Sequence, residues 1–141
     1  MEKKQILVVT NAITEEEVFE IRKAFQIDKT KQMKLNLVHV IPYLPTCYFN
    51  VPSLSLLVER YYDEARDSLH HVGSHLHIPK KDQWLITGKI RTEVLRLANK
   101  LNSSFILASA QQIKELQRSL FFKNIYQYAL IKNVNQIEQL L

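Results

Sequence analysis

The chain's 141 residues fit one domain of ordinary size, and 46% apolar with 23% charged residues is the balance of a soluble globular protein. A single cysteine, Cys47, excludes an internal disulfide, so the fold does not rely on oxidation. The net charge of +5 permits nucleic acid, acidic proteins or anionic surfaces as partners; but Lys3-Lys4, Lys29 to Lys34, Lys80-Lys81 and Lys89 to Arg91 are scattered among apolar runs without a recognised binding motif, and nucleic acid is not the expected partner.

The chain opens "MEKKQILVVTNAITEEE". Its apolar run is too short for a signal peptide, and no stretch approaches the ~20 apolar residues of a membrane span. The expectation is a cytoplasmic chain with no membrane partner. Ile6-Leu7-Val8-Val9 is uninterrupted and largely β-branched, as in a strand covered on both faces of a parallel sheet. Thr14 and Glu17 then form a capping-box pair, and Val18, Ile21 and Phe25 follow at helical spacing.

The second strand is "KLNLVHVIP", ended by Pro42. A loop containing Pro42, Pro45, Cys47 and Pro52 leads to a long helix starting near Ser53. Its stripe is Leu54, Leu57, Val58, Tyr61, Ala65, Leu69, Val72 and Leu76. Trp84-Leu85-Ile86 is the third strand, and Gly88 permits the turn after it. Ile90, Val94, Leu97, Ala98 and Leu101 mark the next helix. Phe105 to Ala108 is the fourth strand, a helix runs from about Gln111 to Phe122, and "YALIKNV" near the end supplies a fifth strand at about Tyr128 to Val134. Strand–helix alternation of this kind predicts an α/β fold, with a mainly parallel sheet carrying helices on both faces. No linker or repeat divides residues 1–141, so one domain is expected.

The segments "ILVVTN", "KLNLVHVIP" and "LITGKIRTEVLRLANKLNSSFILAS", in this order and spacing, resemble the universal stress protein family over nearly the whole chain. The resemblance implies an open, Rossmann-like five-stranded sheet of order 3-2-1-4-5 and a homodimer that contacts other proteins in the stress response. It places a nucleotide site at the carboxyl ends of the first and fourth strands, the topological switch point of such sheets. Many members hold ATP with Gly-x-x-Gly, nine further residues and Gly-Ser/Thr. Here the first glycine falls on Ser109, the second on Gln112, the third near Phe122 and the Ser/Thr near Lys123. The aspartate after the first strand falls on Asn11, while Thr10, Val40 and Gly88 are compatible with the pattern.

The resemblance is therefore to the A-type branch, which lacks the glycine loop. It implies a vestigial nucleotide site at Thr10, Asn11, Val40, Gly88, Ser109 and Gln112, no cofactor and no catalysis. The alternative is an ATP- or AMP-binding regulatory module with a remodelled phosphate loop, and a basic RNA or DNA adaptor is a third class. The edge of the fifth strand, through Ala129, Leu130, Ile131 and Val134, is the expected dimer interface.

Two other constellations carry chemistry on paper. His70, His71, His75 and His77 cluster in "HHVGSHLH", with His71 and His75 on one helical face and Asp67 a turn away. No third ligand is set by spacing, so the cluster is read as a helix end and no metal is expected. Ser68 and Ser74 lie beside histidines without a Gly-x-Ser-x-Gly elbow, and Cys47 has no CxxC partner. Tyr61, Tyr62 and Trp84 are expected in the core or at its margin.

Overall fold

The structure, a computed structural model, describes residues 4–10, 16, 18–19, 33–45, 47–116 and 125–127. Five strands form one sheet: β1 (Lys4–Thr10), β2 (Met33–Ile41), β3 (Gln83–Thr87), β4 (Ser103–Ala108) and β5 (Ile125–Gln127). Their order is β3-β2-β1-β4-β5, and every neighbouring pair is parallel. β1 and β4, far apart in the chain, are thus adjacent at the centre. The helices between strands are α1 (Cys47–Asn50), α2 (Pro52–His75), α3 (Ile90–Lys100) and α4 (Ala110–Leu116). Of the helix expected after β1, Glu16, Val18 and Phe19 are described and are helical.

Side chains alternate across each strand, so the continuous apolar runs feed two cores at once. On one face Ile6, Val8, Leu37, Phe105 and Leu107 pack with Val18, with Leu69 and Val72 of α2 and with Leu76 just past its end. On the other, Leu7, Val9, Val38, Val40, Ile106 and Ala108 pack with Val94, Leu97 and Ala98 of α3 and Leu116 of α4. Pro52 starts α2 where its missing N–H is no loss. At the far end of α2, Gly73 lies under the Gln83 side chain, which donates to the Ile78 carbonyl at 2.8 Å.

Gly88 is needed for two reasons. Its φ of 157° suits glycine, and a Cβ there would stand 2.7 Å from Cγ of Glu93. Its N–H donates to the Ile41 carbonyl at 2.9 Å, tying the ends of β2 and β3.

Three expectations are corrected. The fifth strand is described at Ile125–Gln127, upstream of "YALIKNV", because Ile125 reaches the core and Tyr126 meets Phe105 edge-to-face at 5.9 Å. Residues 128–134, with the expected interface residues Ala129, Leu130, Ile131 and Val134, lie outside the described residues. Cys47 stands on a helical turn, closed by the Tyr48 N–H donating to the Pro45 carbonyl at 3.0 Å, rather than in open loop. Tyr61 and Leu57, placed in the apolar stripe of α2, are exposed, whereas Val58, Ala65, Leu69, Val72 and Leu76 are buried.

Candidate functional site

The carboxyl edge of the sheet gathers most of the residues singled out at the switch point. Thr10 ends β1, Val40 is the penultimate residue of β2, Gly88 follows β3, and Ser109 follows β4. The β1–β4 ladder runs to Val8 opposite Leu107, which carries Thr10 and Ser109 to the same end of neighbouring strands. Thr10 is buried, and Val40 packs into the core beneath α3. Asn11, Phe122 and Lys123 lie outside the described residues.

The turn from β4 into α4 is where the resemblance puts a nucleotide's phosphates. The Ser109 N–H and hydroxyl both donate to Oε1 of Gln112, at 3.4 and 3.2 Å, and the Gln112 N–H donates to Oγ of Ser109 at 3.2 Å. This is a reciprocal capping box, with Ser109 as N-cap and Gln112 at the third helical position. The Ile113 N–H continues into the helix, donating to the Ser109 carbonyl at 2.9 Å. Two of the donors that a helix start leaves free for an anion are thus engaged by the protein's own side chains. Gln112 is only 4% exposed, so it plugs the turn instead of lying over it, and its Nε2 finds no partner among the described residues. The Ser-x-x-Gln spacing was a legible signal for this cap. It is obscured when the positions are scored only as missing glycines.

A second residue was not singled out by sequence. His39 is buried on β2, level with Thr10 of β1 and Leu85 of β3 and beneath α2. Its ring bonds the Ala65 backbone, and its Nδ1 has no partner among the described residues. Burial pushes the imidazole below the ordinary histidine range, and the Ala65 bond opposes this in part. Nearby, the Tyr62 and Thr87 hydroxyls meet at 3.5 Å and link α2 to the end of β3.

The sign of the pH effect follows. The folded ring resists a proton that the unfolded chain accepts near pH 6.5, so the stability tied to neutral His39 is complete above that value and is lost as pH falls below it. Denaturant midpoints measured between about pH 7 and pH 5 should fall more steeply for the wild type than for His39→Gln. Parallel profiles would remove His39 as a source of acid sensitivity.

The histidine cluster occupies the end of α2 and the turn after it. The His71 and His75 rings are edge-to-face at 4.5 Å on the exposed side, and His77 takes a positive φ of 57°. Among the described residues no three His, Cys, Asp or Glu side chains are grouped to hold a metal. Trp84 lies at the sheet edge with the Lys100 ammonium 5.2 Å from its ring centre. No helix among the described residues is long and apolar enough to cross a membrane.

Comparison with known proteins was made on sequence and on structure. No family model matches the chain. It is 29% identical over 90 residues to universal stress protein A homolog 1 of Coxiella burnetii, a stretch that spans 62% of each protein. A crystal structure of a universal stress family protein from Burkholderia pseudomallei superimposes with a TM-score of 0.63 at 17% identity, covering 87% of this chain and 94% of that one. Sequence similarity and fold point the same way. It has the fold of the universal stress proteins and resembles one of them in sequence. The universal stress protein of Archaeoglobus fulgidus shares the fold too, with a TM-score of 0.57 at 13% identity over 89% of this chain and 94% of its own. Within the universal stress fold, the sheet order found here is the one expected from the sequence.

Proposed function

We propose that this chain is a universal stress protein that acts as a cytoplasmic, non-catalytic homodimer working through protein contacts, in the manner of the A-type branch, and holds no ATP firmly. The observation that carries this reading is the Ser109–Gln112 capping box, whose side chains take up backbone donors that a phosphate needs. The dimer is the reading for the sheet edge. Among the described strands β5 pairs only with β4, and the proposed dimer would join two copies along its other side. Ala129, Leu130, Ile131 and Val134 would continue that edge. The alternative, a nucleotide-binding regulatory module with a remodelled loop, is favoured by one observation: buried Nε2 of Gln112 is a donor with no described partner.

Native mass spectrometry of protein purified without affinity tags decides between them. The expected species is twice the 16.6 kDa chain mass with no nucleotide attached. Leu130→Asp with Ile131→Lys should shift it to the monomer, since two charges on a paired edge oppose association. A stoichiometric nucleotide would establish the alternative, and a dimer indifferent to the two substitutions would move the interface elsewhere.

A further inference from the structure

Among the described residues, seven of the eight large exposed apolar side chains fall between Tyr43 and Tyr61, and the sheet core does not account for them. No Asp, Glu, Lys, Arg or His occurs between Ile41 and Glu59. Within and just beyond this stretch Tyr43 is 70% exposed, Leu56 67%, Leu57 56% and Phe49 52%, with Tyr48, Val51 and Tyr61 also exposed. Scattered exposed leucines need no explanation, but a run of this length on joined elements marks an interaction site. The surface is built on regular structure. α1 packs against the start of α2, the Ser55 N–H donates to the Val51 carbonyl at 2.8 Å, and Tyr62, edge-to-face with Tyr61 at 6.1 Å, anchors α2 to Thr87.

The charges at its margin say what fits. Along α2 the apolar surface gives way to Glu59, Asp63, Glu64 and Asp67, which outnumber Arg60 and Arg66, and Arg66 is already held by Asp63 at 3.1 Å. Residues 59–67 of α2 are thus net acidic on a chain whose net charge is +5. We propose that this surface docks an amphipathic segment of a partner protein, apolar on one face and rich in lysine or arginine on the other. The apolar face would lie on Leu56, Leu57 and Phe49, as helices lie in apolar grooves, and its basic residues would meet Glu64 and Asp67. A second copy presents the same acidic margin, so face-to-face pairing opposes like charges, and an anionic membrane is repelled. The surface also stays free in the proposed dimer, because α2 covers the β2–β3 side of the sheet and β5 is the opposite edge.

This inference names the partner class for the protein-contact reading and rests on it. The probe is a fluorescent synthetic peptide with leucine on one helical face and lysine on the other, titrated into the full chain beside a peptide with glutamate in place of lysine. The leucine–lysine peptide should bind at least about tenfold more tightly than the leucine–glutamate one, and its affinity should fall with added salt. Leu56→Ser with Leu57→Ser, at exposed positions that leave folding intact, should weaken it by about tenfold or more. Glu64→Lys with Asp67→Lys should weaken it too and flatten the salt dependence. Equal binding of both peptides, unchanged affinity of the leucine variant, or conversion of that variant from dimer to monomer would overturn the proposal. Failure of the peptide with a nucleotide-free dimer intact sinks only this inference, whereas a bound nucleotide sinks the parent reading and this inference with it.

Discussion

ATP with magnesium is expected to bind no more tightly than millimolar. A glycine loop works because its backbone turns freely and lets several N–H groups converge on the phosphates. Here Ser109 and Gln112 replace two of those glycines, and they also engage the backbone donors in a cap. Freeing those groups would forfeit the cap, at about 1 kcal/mol, and leave the buried Gln112 amide without its bonds. Hydrogen bonds to a charged group contribute roughly 1.5–3 kcal/mol each. Losing two accounts for the about 4 kcal/mol that separates micromolar from millimolar affinity. By the resemblance, Asn11 stands where nucleotide-binding members carry an aspartate, and a further loss at the ribose is expected. Calorimetry measures this directly, and a dissociation constant below about 10 μM would mean that another loop geometry performs the glycines' task.

Phe105→Ala is expected to destabilise the fold by about 3–5 kcal/mol, the usual range for a buried phenylalanine. Phe105 stands on β4, between β1 and β5, and is essentially without solvent contact. It packs with Ile6, Val8, Leu37 and Leu107, and its edge-to-face contact with Tyr126 contributes about 1 kcal/mol beyond burial. The truncation leaves a cavity in the central layer, where the close-packed strands and helices around it cannot fully close it. Since a domain of this size is stable by only about 5–15 kcal/mol, the variant should lose a large fraction of its stability. Denaturant unfolding reads the loss, and the exposed Leu56→Ala, expected within about 0.5 kcal/mol of wild type, is the control. A loss under about 1 kcal/mol for Phe105→Ala would contradict the described core.

The alternation of elements, the parallel sheet and the absent phosphate glycines were all determined by sequence alone. A run such as Ile6-Leu7-Val8-Val9 has no polar side to turn to water, so it must be covered on both faces, and only crossover helices achieve that. Local chemistry also carried the start of α2, expected near Ser53 and found at Pro52, and the turn at Gly88. What tertiary structure decided is which side chains are covered and which donors are already used. Periodicity ranks Leu57 and Tyr61 with Val58 and Ala65 in one stripe, but the sheet covers only one side of α2, and the first pair falls beyond it. His39 looks like the polar member of an apolar strand, and only the helix packed above it makes its ring resist a proton. The place of β5 depended on Ile125 and Tyr126 meeting β4 and Phe105, a pairing set by contacts distant in sequence. At Ser109 and Gln112 the residues announced that no glycine was present. That their own side chains fill the turn emerged only from the folded helix start, because the capping bonds form once strand and helix direct both residues to the same donors.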